Sequence, residues 1–251
     1  MIETGYLQVL AAAALAALAI VLAKVKSIPV GREIGFGTVR SFVQLVAVGY
    51  ALEFIFNTRS FWLVALSVIV MIVVGAYTAA GRARHFTGGF VIALVSITAG
   101  SLVTLGLMLA LRIITPEARY IIPLAGMIIS NTMNAGAVTF DRISSDLKDN
   151  RLAVETSLAL GKTWRQASLR FYRNAVKAGM ISILNFMKTV GIVALPGAMT
   201  GMILAGASPL DAVLIQVIVG YMLISSVTIA SIIAGELAIR RFFNAAEQFV
   251  G

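Results

Sequence analysis

The stretch Asp141–Lys177, DRISSDLKDNRLAVETSLALGKTWRQASLRFYRNAVK, is the one long polar run in a chain that is otherwise almost continuously apolar. It holds eight of the twenty Lys and Arg residues and four of the eleven acids. Within it Leu160, Trp164, Ala167 and Phe171 recur at i, i+4, i+7 and i+11, the spacing of a single stripe along a helix. Lys162, Arg165, Arg170 and Arg173 fall mostly off that stripe. The pattern predicts one long basic amphipathic helix with an apolar stripe free to dock in a groove of a partner. A helix of this kind can also lie on anionic lipid with its basic face toward the headgroups.

On either side of this stretch the sequence reads as membrane-spanning. The chain has 251 residues, 59% of them hydrophobic, and a mean hydropathy of +0.95. Runs of about 20 nearly uncharged residues, enough to cross the hydrocarbon core, recur along it. Seven are expected: Leu7 to Ala23, Phe36 to Phe56, Phe61 to Ala80, Gly88 to Leu111, Tyr120 to Phe140, Ala178 to Ala207 and Ala212 to Ala234. The fold class is therefore all-α and polytopic, a single transmembrane domain over residues 1–251 with the polar stretch between spans five and six. The start, Met1-Ile2-Glu3, lacks the basic segment of a cleaved signal peptide, so the first span is expected to be retained.

The net charge of +9 would suggest nucleic acid in a soluble protein, but here the basic residues sit between apolar runs. Topology explains them and no nucleic-acid partner is expected. One set of connections carries Lys24, Lys26, Arg32, Arg82, Arg84, the eight of the long stretch, Arg240 and Arg241, fifteen in all. The other set carries Arg59, Arg112 and Arg119. This asymmetry predicts an N-terminus outside, and a C-terminus and polar stretch in the cytoplasm of a plasma-membrane protein.

Several chemistries are disfavoured. With no cysteine there is neither a disulfide nor a thiolate metal site. Gly161-Lys162-Thr163 has the tail of a phosphate-binding loop, but Thr156 stands where its first glycine belongs and no strand precedes it. His85, the single histidine, reads as a solvated loop residue. No Ser/His/Asp set or paired carboxylates suggest catalysis, so no catalytic residue is expected. Met127, Met133, Met180, Met187, Met199 and Met202 could offer thioethers to a soft metal, but adaptable core filling is the plainer reading, and no metal site is assigned.

Polar residues inside the apolar runs are the candidates for a translocation path. Arg40 and Gln44 are spaced i,i+4, while Asn131 and Asn134, and Asn185 and Lys188, are spaced i,i+3. A charge near mid-bilayer costs at least ~2.5–3.5 kcal/mol, so it should face a cavity or a partner. Lys188, the eleventh residue of its span, reads as the deepest. That span has 30 residues, roughly 45 Å at ~1.5 Å each, and Leu195-Pro196-Gly197 interrupts it. Proline removes a ladder bond and glycine loosens the next turn, so Pro196 and Gly197 mark an expected hinge.

Three further stretches carry a resemblance. Glu155-Thr156-Ser157-Leu158-Ala159-Leu160-Gly161 resembles the Glu-Ala-Ala…Gly signature of ATP-binding-cassette permeases. Glu155 and Gly161 match, Thr156 and Ser157 are small substitutes, and the usual Ile-x-Leu-Pro tail is missing. Ile122-Pro-Leu-Ala-Gly-Met-Ile-Ile-Ser-Asn-Thr-Met-Asn-Ala135 before it and Leu195-Pro-Gly-Ala-Met-Thr-Gly-Met-Ile-Leu-Ala-Gly206 after it resemble the FetB-type permease family. This family includes bacterial iron exporters and plant aluminium-tolerance relatives, and the resemblance covers nearly the whole chain. It implies a permease, paired as a homodimer, driven by a separate ATP-binding subunit that holds ATP and Mg, with iron as cargo. It also implies coupling through Glu155 and Gly161, to which the amphipathic stripe adds Leu160, Trp164 and Phe171. The alternative left open by the residues is a self-sufficient secondary transporter or channel, for which two matching broken spans are expected. Only one break is visible.

Overall fold

The computed structural model describes residues 6–58, 60–82 and 88–250. Arg59, Arg84 and His85 lie outside the described residues. Among those described there are nine helices and no strand: α1 (Tyr6–Val25), α2 (Gly31–Thr58), α3 (Phe61–Ala80), α4 (Gly89–Ala110), α5 (Ala118–Asp149), α6 (Arg151–Ala159), α7 (Trp164–Thr189), α8 (Gly197–Leu204) and α9 (Pro209–Arg240). Such all-helical content suits a membrane, where every backbone N–H and C=O must find a partner without water. Five helices, α2, α3, α4, α5 and α9, are long and apolar enough to cross one, and Ala11–Val25 of α1 is a shorter apolar helix.

The contacts gather into two compact units, residues 1–60 and 61–251. In the first, α1 and α2 pack as a helical hairpin, with Ile20 against the backbone of Gly31 and Gly35. The turn between them closes through the Ile28 amide, which donates to the Ala23 carbonyl at 2.9 Å. None of α2's residues is buried.

In the second unit α9 packs against α4, α5, α7 and α8, and α5 packs against α3, α4, α7 and α9. Ile97, Ile122, Ile128, Phe140, Ile143 and Leu147 are almost fully buried. Small residues let these helices approach closely, as expected where lipid removes the hydrophobic drive between helices. A Cβ at Gly179 of α7 would stand 2.7 Å from the Ala135 carbonyl oxygen of α5, and closer still to Thr139 Oγ1. Two buried threonines of α5 return their hydroxyls to their own helix: Thr132 donates to the Ile128 carbonyl at 2.9 Å and Thr139 to that of Ala135 at 2.8 Å.

Two details differ from the sequence reading. The polar stretch is not one helix. α5 runs through its first part to Asp149, α6 follows after Asn150, and α7 starts only at Trp164. Gly161 adopts φ +82°, a left-handed conformation natural to glycine, and ends one helix. Thr163 begins the next with a capping box, its hydroxyl accepting from the Gln166 amide and its amide donating to Gln166 Oε1 at 3.1 Å. Leu160 therefore leaves the stripe that Trp164, Ala167 and Phe171 share.

The sixth apolar run is interrupted, but earlier than Pro196. α7 stops at Thr189, whose carbonyl accepts from the amides of Ile192, Val193 and Ala194. Gly191 turns at φ +80°, and Pro196 is the cap that opens α8. α8 carries on along α9 in the same sense as α7. Tyr172 and Val176 lie against Gly235, Met187 against Gly220, and Met199 shares a cleft with Val213 and Gln216.

Candidate functional site

Glu155 sits on the exposed side of α6, accepting a hydrogen bond from Arg151 Nε at 2.7 Å. One turn later the chain reverses at 160–163. Nothing lies within 4 Å of a Cβ built on Gly161, so that glycine is required by conformation rather than by space. Leu160 in this turn and Leu152 at the start of α6 are 76% and 78% exposed.

Trp164 and Phe171 face the other way. Phe171 is 5% exposed in the core, and Trp164 is half-buried with its ring 5.9 Å from that of Phe243. Arg165 lies over Trp164 at 5.2 Å and pairs with Glu236 of α9 at 3.2 Å, while Arg170 covers Phe171 at 4.8 Å. The stripe is thus occupied by the chain itself, while Leu152 and Leu160 are the most exposed of the large apolar side chains described between residues 141 and 177. Tyr172, whose ring lies against Gly235 of α9, has its phenol held above the ordinary range, first by burial and then by the Glu236 carboxylate.

After α9 the chain folds back as a short strap, residues 241–250. Phe242, Phe243 and Phe249 are buried, and the Val250 amide donates to the Phe242 carbonyl at 2.9 Å. Between the strap and the turn is a groove of about 570 Å³, lined by Glu155, Gly161 and Lys162 on one side and by Ala246, Glu247 and Phe249 on the other.

Of the polar residues expected within the apolar runs, Arg40 and Gln44 are exposed on α2 in the first unit. Asn131 is half-buried and donates from Nδ2 to the Met127 carbonyl at 2.8 Å, whereas Asn134 is exposed. Both asparagines line a cleft of about 360 Å³ between α5 and α7, together with Ser182 and Val227. Asn185 and Lys188 are exposed on the last turns of α7 and do not line that cleft. Lys188 stands instead at the carbonyl end of the interrupted helix, where a cation complements the helix dipole.

The break has its own cleft of about 330 Å³, lined by Met187, Val190, Gly191, Leu195, Met199 and Gln216 among others. Gln216 is 6% exposed and its Oε1 has no hydrogen-bond partner among the described residues. Sequence reasoning missed it, although an amide in the run Val213-Leu-Ile-Gln-Val-Ile-Val219 was the available signal. Met127, Met133 and Met180 pack on the core. Among the described residues no three His, Cys, Asp or Glu side chains stand together as a metal site.

Taken together, these features define a multi-pass helical membrane protein with an exposed polar turn joined directly to an interrupted helix. The chain belongs to the Uncharacterised protein family (UPF0014), whose model matches residues 6–243. It is 41% identical over 244 residues to the rice (Oryza sativa subsp. japonica) UPF0014 membrane protein STAR2, covering 97% of this chain and 86% of the relative. It is 38% identical to Protein ALUMINUM SENSITIVE 3 of Arabidopsis thaliana, with 97% and 89% coverage. To the Escherichia coli protein named "Probable iron export permease protein FetB" it is 31% identical, with 94% and 91% coverage. The resemblance read from Ile122–Ala135, Glu155–Gly161 and Leu195–Gly206 is thereby borne out. No solved structure matches the chain.

Proposed function

We propose that the chain is the permease subunit of an ATP-binding-cassette transporter that expels a metal ion or metal complex, with ATP and Mg bound on a separate ATPase subunit. Two permease chains and two ATPase chains form the working assembly. One observation carries this reading: the exposed turn, with Glu155 on α6 before it and Gly161 within it, continues through α7, without interruption, to the break at residues 190–196. A displacement of the turn is therefore delivered to the interrupted segment along a single rod of 26 residues, roughly 39 Å at ~1.5 Å each.

In this reading the chain crosses the membrane seven times, through α1 to α5, the α7–α8 pair and α9. The fifteen basic residues face the cytoplasm. Leu160 and Leu152 meet the ATPase, while Trp164 and Phe171 brace α7 from behind. Asn131 and Asn134 flank the path in their cleft, and Arg40, Gln44, Asn185 and Lys188 are its further polar candidates. The break ending in Pro196 and Gly197 supplies the bend for alternating access. Iron is the first cargo to test, because the Escherichia coli relative is named for its export.

The test is reconstitution in proteoliposomes with the ATPase subunit and a panel of ferrous ion, ferric citrate and aluminium. The unsubstituted chain is expected to move one of these only with ATP. Glu155→Ala and Gly161→Val are expected to leave ATP hydrolysis running while flux per ATP falls roughly tenfold, since a β-branched residue resists the left-handed turn. Equal flux with the ATPase omitted would instead identify a self-sufficient transporter and sink this reading.

A further inference from the structure

The α7 N-terminus is capped twice, once by its own Thr163 and once from 83 residues away. The backbone N–H of Trp164 donates to Glu247 Oε2 at 3.1 Å. A carboxylate at this position also meets the positive end of the helix dipole. Glu247 holds φ +58°, a left-handed conformation uncommon outside glycine, within a turn that Asn244 organises. Asn244 Oδ1 accepts from the amides of Ala246 at 3.0 Å and Gln248 at 2.9 Å.

The same strap reaches α6. The Arg151 guanidinium lies 5.8 Å from the Phe249 ring centroid while its Nε donates to Glu155. The strap also continues directly from α9, the helix that packs against α4, α5, α7 and α8.

We propose that the strap, residues 241–250, is part of the ATPase-coupling element, with Glu247 as a positioning residue that holds the α6–α7 turn through the Trp164 N–H. The inference rests on the transporter reading above and adds a second route to it. Motion of the turn reaches the interrupted helix through α7, and reaches α9 through Trp164, Glu247 and the Phe243–Phe249 ring cluster. The two helices on either side of the break cleft then move together rather than shearing.

The experiment uses the full chain with its ATPase in proteoliposomes, reading iron moved per ATP hydrolysed together with membrane insertion and ATPase association. Glu247→Ala is expected to lower that ratio roughly fivefold, the scale of a lost helix cap, with insertion and association retained. Glu247→Gln keeps an acceptor oxygen and is expected to restore most of the ratio, whereas a tail that only stabilised the fold would lower insertion or association in Glu247→Ala and leave the ratio of the inserted protein unchanged. Should Glu247→Ala fail to insert, Asn244→Ala loosens the strap without touching α7 and is expected to lower the ratio likewise. A ratio unchanged in both Glu247→Ala and Asn244→Ala would overturn the role of the strap while leaving the transporter reading intact. Absence of ATP-dependent flux from the unsubstituted chain would overturn both.

Discussion

A methyl group added at Gly100 of α4 would lie 2.8 Å from the Ser226 carbonyl oxygen and 3.2 Å from the Ala230 methyl, both on α9. Backbone cannot yield as a side-chain tip can, so Gly100→Ala should destabilise the second unit by about 1–3 kcal/mol. Gly106 on the same helix meets nothing within 4 Å. Gly106→Ala should therefore gain roughly 0.5–1 kcal/mol from helix propensity. Thermal unfolding midpoints in detergent that moved the same way for both would refute the assignment of α4 to this contact with α9. In the sequence the two glycines look alike, both being small residues in an apolar run, because composition carries no record of which neighbour lies across the helix. Gln216 was hidden for the opposite reason. Its amide was visible, but an isolated Gln among Val and Ile gives no sign of whether it faces lipid, a cleft or a partner.

At the scale of elements, helix boundaries were decided by residues that periodicity ignores. The stripe Trp164, Ala167 and Phe171 was legible and is the inward face of α7, but counting apolar positions extended it back to Leu160. Gly161 and the Thr163-x-x-Gln166 capping box, both written in the same stretch, end that extension. Thr163→Ala should remove one of the two caps and cost about 1 kcal/mol. Hydrogen exchange confined to the first turn of α7 is the readout, and unchanged protection at Arg165 and Gln166 would show that the box does not hold the helix start. The interruption of the sixth apolar run was likewise legible in kind from Leu195-Pro196-Gly197. Its position was not, because the helix unwinds first at Val190, where the turn around Gly191 takes over the carbonyl of Thr189.

At the scale of the molecule, apolar run length was enough to find α2, α3, α4, α5 and α9. It is a poor guide to α7, whose polar first half and apolar second half form one unbroken helix. The grouping of contacts into units 1–60 and 61–251 leaves no trace in the sequence either, since Thr58 to Ser60 carries no linker composition. Orientation can be tested cleanly because the chain has no cysteine of its own. In intact cells a membrane-impermeant maleimide should label Thr115→Cys, between α4 and α5, and should label Lys162→Cys only after permeabilisation. Labelling in the reverse order would invert the topology and remove the turn from the cytoplasm.

Helices α5 and α9 have 32 residues each, so at ~1.5 Å per residue they are roughly 48 Å long, against a hydrocarbon core of ~30 Å. Each is therefore longer than that core by roughly 18 Å, about three helical turns. Tilting a rod of that length by about 10° about one tip carries the other tip sideways by roughly 8 Å. A sideways displacement of that size at one end thus needs only a small tilt of the whole rod, with no helix having to melt.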